Sequence, residues 1–530
     1  MSYVRIIGPF NSTIVSQLSR SHLRVTPYLV KPQDHAFIPL SVLQRKKGQT
    51  MIFDRLFQMA STPRPRCSLQ ETIQRGQFYD LDEMTLLYQI SEAFGPELSR
   101  LKNAVAVEGN EEQRNSNGTV DAPSPSQILY GTNYDEINRT LVGILALRWI
   151  HNGDYARFTT GQIEEFRLTH DSFQALRKLF TDNVQSPDDL FALVLSMIIN
   201  DLGKDPNLKN DYTELTRAEI SDQNHDSILL EAANADMIPA LHYLDAEHRA
   251  EVMKGLELGS ELNAGQLAQA ESVPCNLEGL YNMRGHQHAF ELKFLEQVLD
   301  VAGASGHLYS KGSKNFIEPV FQAFKTVHEV STDIIEGRST LREGYDKVLT
   351  KRGNMLYGKG FRRLSVSNDE ERALLRLLTM GRTADVEQAK LFSNAFHALA
   401  KQDKDKLVAG LNVDGNVNET AVLPYYMPAI LSKTLETTRD SGQEGRRKAL
   451  TSLMRYLAKV LEKGSSLQVV PEDIGFTISG EVPGIIIERN MSKAQEVISS
   501  PEFKLNPDLL DQLDIPDGQV LQRRRTSQSM

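Results

Sequence analysis

SMIINDLGKDP, residues 196–206, is the stretch on which the reading of this chain turns. Its first residues complete an apolar run, DLFALVLSMII, whose length and helical spacing predict a helix capped at Ser186. Asn200 and Asp201 stand near the end of that helix, and Leu-Gly-Lys-Asp-Pro then forms a turn. An apolar helix that delivers two polar side chains into a turn is a means of placing chemistry at the edge of a helical core.

Outward from this point the same pattern continues. EINRTLVGILALRWI, DSFQALRKLF, HAFELKFLEQVLDVAG and RKALTSLMRYLAKVLEKG all space apolar residues at helical intervals, so residues 128–465 are expected to form one α-helical catalytic domain. Before it, residues 107–127 have the polar, Gly-, Ser- and Pro-rich composition of a flexible linker, and residues 1–106 read as a mixed α/β segment with a strand at YVRII. After it, SLQVV and GIIIERN flank Gly and Pro and predict a small β-hairpin within 466–515, followed by a disordered tail at 516–530.

The chain has 530 residues, enough for a large core, and its 40% hydrophobic and 24% charged residues are those of an ordinary globular protein. Two cysteines, Cys67 and Cys275, make no disulfide framework and no thiolate metal pair, which points to a reducing compartment. The amino terminus lacks the form of a secretory signal, and no apolar run approaches the ~20 residues that span a bilayer, so a cytoplasmic location without membrane partners is expected. A net charge of −10 argues against coating DNA but leaves room for a local basic patch. Phosphate-loop, dinucleotide-binding, nucleophile-elbow and H-E-x-x-H motifs do not occur.

The segment around Asn200 and Asp201 resembles the helix that carries metal in the HD superfamily of phosphohydrolases. His170 lies on an earlier helix, Asn200-Asp201 takes the place of the His-Asp pair, and His225, Asp226, His286, His288 and Asp300 follow in order. The resemblance implies a mainly α fold: an HD-like helical domain with a small mixed N-terminal segment and a C-terminal β-hairpin. It also implies a divalent metal on His170, Asp201, His225, His286 and Asp300, for a phosphohydrolase or oxygenase. Asn in place of the diagnostic His weakens such a site, because its amide oxygen is neutral and weakly basic.

Two further clusters bear on function. In LKNDYTELTRAEI, Asp211 and Glu214 share a helical face three residues apart, and Asp205 lies just before. Together they could act on a proton or an ammonium group; the plainer alternative is negative charge complementing the start of a helix near Asn210. DKVLTKRGNMLYGKGFRRL concentrates Lys347, Lys351, Arg352, Lys359, Arg362 and Arg363 with Tyr357, Phe361 and three glycines. A basic loop of that kind could hold phosphates and stack on a base, or be only a solvated turn.

INDLGKDP, NHDSILLEA and GHQHAFELKFLEQVLDVAG, on a chain of this length, also resemble the fungal arginine-containing cyclodipeptide synthases. That resemblance implies transfer between aminoacyl-tRNAs, arginyl-tRNA among them, to give a diketopiperazine in secondary metabolism without a cofactor. The family's Asp-Asp-x-x-Glu motif corresponds here to NDYTE, so the resemblance carries a catalytic role to Asp211 and Glu214, with Asp205 nearby. The tRNA would meet Lys351, Arg352, Lys359, Arg362 and Arg363.

Overall fold

The computed structural model describes residues 66–104, 123–220, 224–416, 419–465 and 485–521. It is mainly helical, with one three-stranded sheet near the C-terminus. The eight helices needed below are α1 (Asp135–His151), α2 (Pro187–Ile199), α3 (His225–Asn234), α4 (Ala246–Glu261), α5 (Gln287–Gly303), α6 (Leu341–Gly358), α7 (Asp369–Met380) and α8 (Gly442–Ser465). None of the described helices is long and apolar enough to cross a membrane.

Helix α1 is buried nearly all round, as a helix without a polar face must be. It crosses α5 at two glycines. A Cβ on Gly303 would lie 2.1 Å from the Arg139 carbonyl oxygen, and one on Gly143 would lie 2.8 Å from that of Leu299, so only glycine lets the two backbones touch. The apolar run 189–199 becomes α2, with a reciprocal Ser186–Asp189 capping box and Pro187 in the first turn. These helices and those between 68 and 101 share one large core. A second core, from Leu356 to Leu510, gathers around α8.

The sheet departs from the sequence reading. Residues 485–490 form a strand, as GIIIERN suggested, but not as one arm of a hairpin with 466–470. That strand, β2, is central: it pairs in parallel with β1 (Thr420–Tyr425) and antiparallel with β3 (Gly518–Leu521), so both its edges are taken. Residues 518–521, expected in the tail, are thus in the sheet. YVRII, SLQVV and most of the expected linker lie outside the described residues, while Ser124 and Pro125 already start a helix at 125–130. The sheet packs on Val273 and Cys275 through Ala421, Leu423 and Ile486.

Candidate functional site

The turn after α2 assembles a buried set of charges. Asn200 continues the helix for one residue, a 3-10 turn spans Leu202–Lys204, and Asp205 caps the next helix, Pro206–Thr216. Lys204 lies 2.8 Å from Asp201 and 3.3 Å from Glu136 of α1, and Arg139 pairs with Glu136 at 2.8 Å. Burial opposes the charge on Asp201, but Lys204, Arg139 and His225 outweigh it and hold the carboxyl well below its usual range. Burial instead lifts Glu136, which shares a hydrogen bond with Asp201, against the pull of Arg139 and Lys204. Burial and the Asp201 charge also lift Asp300 of α5. Asn200, at the position of the superfamily's His, hydrogen-bonds Glu296, whose carboxyl burial raises to about 7 against the pull of Lys293.

These residues do not fit the divalent metal that an HD reading implies. Lysine and arginine already supply the positive charge around Asp201. His170, the first residue of helix His170–Asn183, lies edge-on to Tyr155 and reaches Gln174. His286 is exposed before α5. His288 turns to Glu251 at 2.8 Å and Asp189 at 3.4 Å. Among the described residues, no three His, Cys, Asp or Glu side chains form a group that could hold a metal.

The acidic trio, Asp205, Asp211 and Glu214, lies at the cap and along one helix. Its helix starts at Pro206, not near Asn210, so Asp211 lies beyond the first turn. Arg100 bridges Asp205 at 3.1 Å and Asp211 at 2.7 Å, while Glu214 is exposed. The basic stretch is helical up to Gly358, not a loop. Gly353 is a packing residue there: a Cβ would meet Leu375 at 2.8 Å. Phe361 is buried in the second core and is not available to stack on a base. Arg352 donates to the Thr383 carbonyl, Lys359 to that of Ala384, and Arg362 pairs with Glu371. Lys351 lies 3.9 Å from Glu329, and Arg363 packs over the Tyr357 ring.

A cleft of about 810 Å3, open solvent included, lies between the helices and the sheet. His225 and Asp226 at the start of α3, Glu261 at the end of α4, Tyr425, Tyr426 and Glu488 line it, and among the described residues no lysine or arginine does. His225 and Asp226 approach to 3.5 Å. Burial raises Glu488, with His225 opposing and Asp226 reinforcing the shift. Burial likewise raises Tyr425, whose ring lies 3.9 Å from that of Tyr426. The opening stretch reaches this cleft through Gly203, where a Cβ would lie 1.8 Å from the backbone oxygen of His225. Gly203→Ala is therefore expected to displace the start of α3 and to lower the thermal midpoint as well as any activity that depends on His225; an alanine variant with the parent's midpoint would show the contact to be dispensable.

Residues 87–510 match a family described as a family of unknown function (DUF6829). The chain belongs to that family. The matched span includes every cleft residue named above. No curated protein and no solved structure matches the sequence.

Proposed function

We propose that the cleft is the active site of an aminoacyl-tRNA-dependent cyclodipeptide synthase that joins arginine to a second amino acid, built on an HD-like helical scaffold. The observation that supports this reading most is the lining itself: among the described residues it includes three carboxylates, two tyrosines and a histidine, and no lysine or arginine. Such a wall suits a guanidinium or ammonium group, which a carboxylate can hold through paired hydrogen bonds and a tyrosine face can cover.

In this reading the amine of one aminoacyl ester attacks the carbonyl carbon of the other. A C–N bond forms, the ester C–O bond breaks, and the amine proton ends on the departing tRNA hydroxyl. A second attack within the dipeptidyl ester closes the ring and releases the second tRNA. No electrons are gained or lost and no cofactor is required. His225 takes the part of the base that relays the proton. Asp205 and Asp211, which the sequence offered for that part, are engaged by Arg100 and brace helix Pro206–Thr216. Lys351, Lys359 and Arg363, exposed at the end of α6, are the surface proposed for tRNA phosphates.

Asn200-Asp201 at the end of α2 and Asp300 on α5 support the HD-like scaffold, with Lys204 and Arg139 beside the carboxylates. The metal-dependent HD reading needs His170 and His286 to join them, and neither does. Incubating the purified protein with arginyl-tRNA and a pool of other aminoacyl-tRNAs is expected to yield arginine-containing diketopiperazines by mass spectrometry, with or without chelator. Charged tRNAs that are recovered with no such product would overturn the proposal.

A further inference from the structure

Tyr426 holds a left-handed backbone, φ 74° and ψ 6°, that a bulky aromatic residue rarely adopts and that something must stabilise. Its backbone N–H donates to Glu271 Oε1 at 2.6 Å. Glu271 is only 5% exposed, and its own backbone is held in turn: Arg376 of α7 donates to the carbonyls of Ala270, Glu271 and Ser272, and the Tyr345 hydroxyl donates to Ala270. The chain of contacts runs from a buried guanidinium through a carboxylate to a strained tyrosine at the cleft wall.

We propose that Glu271 is a positioning residue of the cleft, whose carboxylate fixes Tyr426 in its left-handed conformation and so sets the Tyr425 and Tyr426 rings against a bound cation. This rests on the cleft being the binding site. Glu271 does not line the cleft; it acts through Tyr426. The ionisable groups that face it are Glu488 on β2, Tyr425 and Tyr426 at the end of β1, Arg376 on α7 and Arg382 just beyond. Burial pushes its carboxyl up to about 7, with the Tyr426 N–H and Arg382 pulling down and Glu488 pushing up. The clamp is a charge-assisted hydrogen bond above neutrality and a weaker, neutral one below it.

The test measures agmatine, which carries a guanidinium and an ammonium group, binding to the full chain by calorimetry between pH 5.5 and 8.5, together with hydrogen exchange at the Tyr426 amide. The parent is expected to bind several-fold more tightly as pH rises through about 7, with a larger protection factor at Tyr426 once the base-catalysed rise in intrinsic exchange is divided out. Glu271→Gln keeps an acceptor that cannot ionise, so it is expected to bind with that rise largely removed. Glu271→Ala should bind weakly throughout and exchange fast. A glutamine variant that retains the parent's pH profile, or an alanine variant that binds as the parent does, overturns the positioning role while leaving the cleft reading intact. A parent that binds no agmatine at any pH overturns both.

Discussion

Replacing Arg376 with methionine is expected to destabilise the protein by several kcal/mol, because each buried carbonyl left without a donor costs about 1–3 kcal/mol. Arg376 is fully buried and spreads its donors over four carbonyls, those of Ala270, Glu271, Ser272 and Leu411. Methionine fills much of the same volume but offers no donor, so the variant leaves these oxygens without that partner. Lysine should recover little of the loss, because one ammonium cannot reproduce the planar fork of a guanidinium. Chemical denaturation reads the effect directly, and an unchanged midpoint in both variants would show that other groups satisfy the carbonyls.

The largest effect on activity is expected at Glu488. Glu488→Gln keeps the shape of the side chain and removes its charge, which should cost about 1.5–3 kcal/mol in contact with a cationic group, a loss of about 10–100-fold in diketopiperazine formation from arginyl-tRNA. The thermal midpoint should hold or rise slightly, since burial already disfavours the charged carboxyl. Comparing arginyl-tRNA with a tRNA bearing an uncharged amino acid gives the check: an equal loss for both would mean that Glu488 does not read the cation.

The helical body was legible in the sequence because its signals are local. The Ser186 cap, the Pro187 that follows it and the apolar run from Leu190 to Ile199, broken only by Ser196, mark α2 within fourteen residues, and the HAFELKFLEQVLDVAG run marks α5 in the same way. Partners that depend on distant contacts were not. Nothing near Asp205 and Asp211 announces Arg100, which lies 105 and 111 residues away in sequence. Gly353 resembles a turn glycine until Leu375 is seen packed against it. Sequence reasoning picked out His225 as a metal ligand, noted Asp226 beside it, and missed Glu271, Glu488, Tyr425 and Tyr426. One signal for Glu488 was present: a carboxylate interrupting the β-branched run IIIERN, where a strand buried on both faces would carry another apolar residue.

The central position of β2 bears on the order in which the molecule can be made. Its parallel partner β1 is joined to it by a long connection that contains α8, and its antiparallel partner β3 ends at Leu521, nine residues before the C-terminus. On a ribosome the helices around α1, α2 and α5, which end by Gly303, emerge and can pack well before Glu488 and Leu521 exist to complete the cleft wall. The cleft wall is thus complete only once residues 485–521 have been added, and a chain halted between residues 465 and 485 would hold the first core and none of the Glu488 wall.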